Sequence, residues 1–72
     1  MSRVVALGAS ARVRGFALAG VTVLETDEEG PESAWSRLPE DTALVLLTED
    51  AASVLEDQLA ERSRLLWTVI PS

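Results

Sequence analysis

The chain contains no cysteine, no histidine and no lysine. Without cysteine there is neither a disulfide framework nor a thiolate metal cluster. Without histidine it lacks the usual general base at neutral pH and the commonest zinc ligand. Aromatic residues are scarce too: Phe16, Trp35 and Trp67 are the only ones. No apolar run approaches the ~18 residues of a membrane span. The run Val4-Val5-Ala6-Leu7 behind Met1-Ser2-Arg3 is too short for the apolar core of a signal peptide. These absences predict a cytoplasmic chain with no direct membrane insertion.

What is present is acidic and apolar. Twelve carboxylates against six arginines leave a net charge of −6. Phosphate backbones are bound mainly by cationic neutralisation, so no nucleic acid is expected as a partner. A protein surface carrying an Arg or Lys stripe is the better electrostatic match. The 47% hydrophobic and 25% charged fractions are those of a folded domain, and 72 residues make room for one core only. For 7.7 kDa, surface scaling predicts roughly 4,300 Å² exposed after folding.

Four short apolar runs punctuate the chain: Val4-Val5-Ala6-Leu7, Val21-Thr22-Val23-Leu24, Ala43-Leu44-Val45-Leu46-Leu47 and Leu65-Leu66-Trp67-Thr68-Val69-Ile70. Unbroken apolar runs with β-branched residues read as strands covered on both faces. On that reading Trp67 is sheet core. The segments between them read as helices. Ser10 is placed to cap a helix over residues 11–19, with Val13, Phe16 and Ala17 on one side and Gly20 as its stop. Gly30-Pro31 opens a second helix over residues 31–38, as N-cap and first-turn proline, with Ala34, Trp35 and Leu38 as its apolar stripe. A third begins at Thr48, whose hydroxyl can cap free amides, with Glu49 and Asp50 in the favourable first turn. Ala52, Leu55 and Leu59 form its buried stripe, and Arg62 and Arg64 stand near its end.

The alternation predicts an α/β fold in β-α-β-α-β-α-β order: a small three-layer Rossmann-like sandwich on a four-stranded parallel sheet, one domain over residues 1–72. Ligands of such sheets gather at the carboxyl ends of the strands. There the first loop, Gly8-Ala9-Ser10-Ala11-Arg12-Val13-Arg14-Gly15, matches neither the dinucleotide nor the P-loop pattern, and no cofactor is expected. Gly8 reads as a tight turn out of the strand. The acids after the second strand do not converge with others on a metal, because the first strand ends in Gly8, Ala9 and Ser10. Glu49 and Asp50 point about 100° apart on a helix and do not form an acid/base pair. The serines have no histidine or lysine to activate them, so no catalytic residue is assigned.

One string is more specific. Val13-Arg14-Gly15-Phe16-Ala17-Leu18-Ala19-Gly20-Val21 resembles the F subunit of V-type and A-type rotary ATPases, whose members open with an apolar strand and Gly and continue close to V-x-G-F-R-L-A-G-V. Ala43-Leu44-Val45-Leu46-Leu47-Thr48-Glu49 resembles the family's third strand and its helix entry, and Val69-Ile70-Pro71-Ser72 the close of its fourth. Ala9 stands where the family often has Asp, and Ala17 where it usually has Arg, so any polar role of those positions is absent. The family's C-terminal helical extension has no counterpart before Ser72.

The resemblance implies a non-catalytic central-stalk subunit that docks on the stalk's long coiled-coil partner, with the catalytic head as a further candidate partner. It would be peripheral to the membrane and couple ATP hydrolysis or synthesis to proton or sodium transport. Arg12, Arg14, Gly15, Phe16, Trp35 and Glu49 are the candidate partner-binding residues. In this reading Gly15 allows close backbone approach and Phe16 covers the sheet, its replacement by Ala costing roughly 3 kcal/mol. Two other readings fit the residues: a stand-alone adaptor of the same fold, and a small enzyme or anion-binding domain using Arg12 and Arg14.

Overall fold

All four apolar runs form strands: β1 (Arg3–Gly8), β2 (Thr22–Glu25), β3 (Thr42–Thr48) and β4 (Leu66–Ile70). The computed structural model describes residues 2–61 and 65–71. Every pairing is parallel, and the strand order is β2-β1-β3-β4. This is the predicted small Rossmann-like sandwich. Arg3 ties down the amino end of the sheet, donating to Asp41 at 2.9 Å and to the Thr22 hydroxyl at 3.1 Å.

The connection from β1 to β2 runs one way along the sheet; those from β2 to β3 and from β3 to β4 run the other way. Right-handed crossovers therefore place their helices on opposite faces. On one face lie α2 (Pro31–Ser36), α3 (Glu49–Val54) and α4 (Glu56–Glu61). Their Ala34, Trp35, Ala51, Leu55 and Leu59 pack with Leu7, Val45 and Leu47 of the sheet into the main core. On the other face α1 (Ser10–Val13) packs on β1 and β2 and buries Val13.

Local chemistry explains most boundaries. Gly30, at φ 86°, turns the chain into α2, with proline in the first turn. Thr48 caps α3 by accepting from the Ala51 amide at 3.3 Å. Leu55 separates α3 from α4, yet the Leu55 and Leu59 amides still donate to Ala51 and Leu55 carbonyls. The apolar stripe thus continues across the break. Arg62 and Arg64, expected near the end of this segment, lie outside the described residues.

Three expectations change. The helix predicted over residues 11–19 is a single α-turn followed by a 3₁₀ helix, Arg14–Ala19, which Gly20 closes at φ 82°. Gly8 does not have a positive φ; it is needed because a Cβ there would strike the Thr48 side chain, 2.7 Å from its Oγ1. Finally, β4 is not covered on both faces. Among the described residues it pairs with β3 alone, at the edge of the sheet, and Leu66, Trp67 and Val69 are exposed. Trp67 is 43% exposed and Leu66 71% exposed, so Trp67 is a surface residue and not sheet core. The uncovered side chains contribute to a total surface of 4787 Å², above the roughly 4,300 Å² that scaling predicts.

Candidate functional site at the carboxyl edge of the sheet

Because β1 has β2 on one side and β3 on the other, the loops after these strands meet at the point where the winding reverses. Doubly wound sheets hold their ligands there. Two depressions open on this edge, of about 600 and 490 Å³. Asp27, two residues after β2, lines both.

Asp27 holds the two loops together. Its carboxylate accepts from the Ser10 amide at 2.9 Å, across 17 positions of sequence. Ser10 is the first residue of α1, and Ala9, at the N-cap position, provides no side-chain cap. Asp27 therefore does from another loop what Ser10 was expected to do itself. The hydrogen bonds from the Ser10 amide and side chain hold the Asp27 carboxyl below the usual carboxylate range. Sequence spacing offers no sign of this contact. Its only precursor is the adjacency of β1 and β2, which brings the loops leaving both strands side by side.

The arginines of this edge are divided. Arg14 lines the first depression beside Arg37, against the carboxylates of Glu25, Asp27, Glu28 and Glu29. Arg14 approaches Glu25 at 4.0 Å, and Arg37 approaches Glu29 at 3.5 Å. Arg12 lines the second depression, facing Asp27, Glu49 and Asp50. The two arginines do not converge on one anion, and carboxylates outnumber guanidinium groups in both depressions. An anion site built from Arg12 and Arg14 does not fit this geometry. Among the described residues no group of three or more carboxylates is placed to hold a metal ion.

The six candidate partner-binding residues are spread over the molecule. Arg12, Arg14 and Gly15 are exposed on the α1 side, and Phe16 beside them is half-buried. A Cβ on Gly15 would meet nothing within 4 Å, so no internal packing requires glycine there. Glu49 is exposed in the first turn of α3, in the opposite helix layer, though it shares the second depression with Arg12. Trp35 is 6% exposed and belongs to the core, so it is closed to a partner. Leu18, which sequence reasoning did not single out, is 95% exposed on the 3₁₀ helix, among exposed Gly15, Ala17 and Ala19.

No protein-family model, curated protein or solved structure matches this chain. Among the described residues no helix is long and apolar enough to cross a membrane.

Proposed function

We propose that this chain is a non-catalytic docking domain of the kind found as the F subunit in the central stalk of V-type and A-type rotary ATPases. In that role it seats on a coiled-coil stalk subunit, peripheral to the membrane, and helps couple ATP turnover to ion transport. The observation that carries the reading is the exposure of residues 15–20. This apolar string bears the family resemblance, yet Gly15, Ala17, Leu18 and Ala19 all lie at the surface and contribute little to the domain's own core. Exposed apolar residues around a glycine with open space above it suit close approach by a helix of another protein. The flanking Arg12 and Arg14 supply charge-assisted contacts at its rim.

The carboxyl edge of the sheet agrees with such a role. Its polar groups hold one another: Asp27 with Ser10, Thr48 with the α3 amides, Arg14 with Glu25 and Arg37 with Glu29. The chain's lack of histidine, cysteine and lysine leaves no obvious nucleophile–base pair. The test is complex formation with the coiled-coil stalk subunit of the same source, followed by gel filtration with light scattering. A 1:1 complex that Leu18→Glu disrupts is expected. A folded chain that leaves the coiled coil unbound overturns the stalk assignment and favours the free-standing adaptor.

A further inference from the structure

The two edges of the sheet are built differently. The β2 edge is guarded: the strand has four residues, ends in Glu25 with Arg14 at 4.0 Å, and has the 3₁₀ helix packed against it. Among the described residues the β4 edge has no such device. Leu66–Ile70 contains no charged residue and no proline, and it follows β3 residue for residue without a bulge. Folded chains normally block an edge with one of these, because its outward N–H and C=O groups template a further strand. Five large apolar side chains are exposed among the described residues, and three of them, Leu66, Trp67 and Val69, stand on this one strand.

The order of residues on this strand fits a copy of itself. In an antiparallel pair about a two-fold axis through Thr68, Thr68 faces the second copy's Thr68, Trp67 faces Val69, and Leu66 faces Ile70. Every cross-strand pair is then apolar on apolar or threonine on threonine, types that stabilise a sheet. Trp67 and Val69, register partners of Val45 and Leu47, lie on the face that carries α3 and α4. We infer that the free chain forms a two-fold dimer through β4, one eight-stranded sheet in which the two copies' Trp67 and Val69 share an apolar strip between the α3–α4 layers. Joining two five-residue edges with their side chains buries roughly 1,000 Å² in total, the lower bound for a specific interface. The dimer is therefore weak, with a dissociation constant on the order of 10–100 μM. Each copy carries a net charge of −6, so added salt strengthens this dimer, whereas it weakens a complex held by opposite charges. The inference does not rest on the stalk assignment, which uses residues 15–20 in the other helix layer.

The experiment is sedimentation equilibrium of the full chain from about 1 μM to 1 mM, on either side of the expected midpoint. The mean mass is expected to rise from 7.7 kDa toward twice that value and to stop there. Thr68 is exposed, so its substitution leaves the fold intact. Thr68→Lys and Thr68→Glu each set like charges face to face across the axis and should weaken the dimer at least about tenfold. An equimolar mixture of the two should associate again, because lysine then faces glutamate. Thr68→Cys gives the chain its only thiol. Facing Cα atoms in an antiparallel pair lie about 4.5–5.5 Å apart, within disulfide range. Oxidised glutathione should therefore cross-link Thr68→Cys at least about tenfold faster than Leu18→Cys, whose side chain is also exposed.

A chain that stays monomeric at 1 mM, or one whose mass grows past two copies, overturns the proposal. So does a dimer that Thr68→Lys leaves unchanged, or a mixture of the two charged variants that stays apart. A monomer that instead takes up an extended peptide along β4 gives this edge to another protein. Leu18→Glu should leave the dimer intact, and Thr68→Lys should leave binding to the coiled-coil stalk subunit intact. Failure of the dimer with an intact coiled-coil complex sinks only the β4 interface, and the opposite result sinks only the stalk assignment.

Discussion

Gly8 at the end of β1 lies directly beneath Thr48, the residue that caps α3. A Cβ on Gly8 would overlap the threonine side chain, coming 2.7 Å from Oγ1 and 3.0 Å from Cβ. Thr48 is buried and its hydroxyl is engaged with the Ala51 amide, so it cannot simply turn away. One close contact thereby links the central strand pair to the start of the α3–α4 layer.

Gly8→Ala is expected to destabilise the domain by about 1–3 kcal/mol through overpacking. In a domain of this size each 1 kcal/mol lowers the melting midpoint by roughly 4–8 °C. Thr48→Ala alone costs about 1 kcal/mol through the lost cap. If the contact is the cause, the double variant Gly8→Ala/Thr48→Ala is more stable than the two single losses predict together. Strict additivity in thermal or urea unfolding would show that the strain lies elsewhere.

Gly20 and Gly30 both have positive φ, but they differ in ψ. Gly20, at φ 82° and ψ 10°, sits near the left-handed helical region. Gly30, at φ 86° and ψ 164°, occupies a region essentially reserved for glycine. Gly20→Ala should cost about 1–2 kcal/mol and Gly30→Ala more, up to about 3 kcal/mol. Gly20→Asn should recover part of the loss, whereas Gly30→Asn should not. Urea midpoints of the four variants decide the ranking.

Asp27 makes stability depend on pH. Its native carboxyl titrates below the ordinary value of 3.8, because the Ser10 amide, and secondarily the Ser10 side chain, hydrogen-bond the ionised form. A lowered native value means that the contribution is complete above the unfolded pKa and is lost as pH falls through the native one. Asp27→Ala should therefore lie below the parent in stability at pH 7, and the gap should close as pH drops below 3.8. Asp41, lowered by its hydrogen bond from Arg3, adds the same sign of dependence in the parent and in Asp27→Ala. A gap that stays constant down to about pH 2 would deny Asp27 its role as a charged cap.

The aromatic residues should rank by burial. Trp35→Ala removes a core side chain and should cost about 3–5 kcal/mol. Phe16 is half-buried, so Phe16→Ala should cost about 1–2 kcal/mol, less than the roughly 3 kcal/mol of a full core position. Trp67→Ala should cost less than about 1 kcal/mol in the isolated chain. Comparable losses at Trp35 and Trp67 would contradict the edge placement of β4.

The sequence by itself determined the parts of this protein whose causes are local. Apolar runs of four to six residues became strands within two residues of their expected limits, and Pro31, Gly20 and Thr48 mark helix ends through their own dihedral or hydrogen-bonding chemistry. The tertiary structure alone decided what depends on strand order. That order places Leu65-Leu66-Trp67-Thr68-Val69-Ile70 at the edge, so a run with five apolar residues of six lies largely exposed, while Trp35 on a six-residue helix is buried. It also brings Asp27 to Ser10 and Thr48 onto Gly8, contacts between segments 17 and 40 positions apart. Local propensity acts over a few residues, whereas exposure and close approach depend on which strands become neighbours.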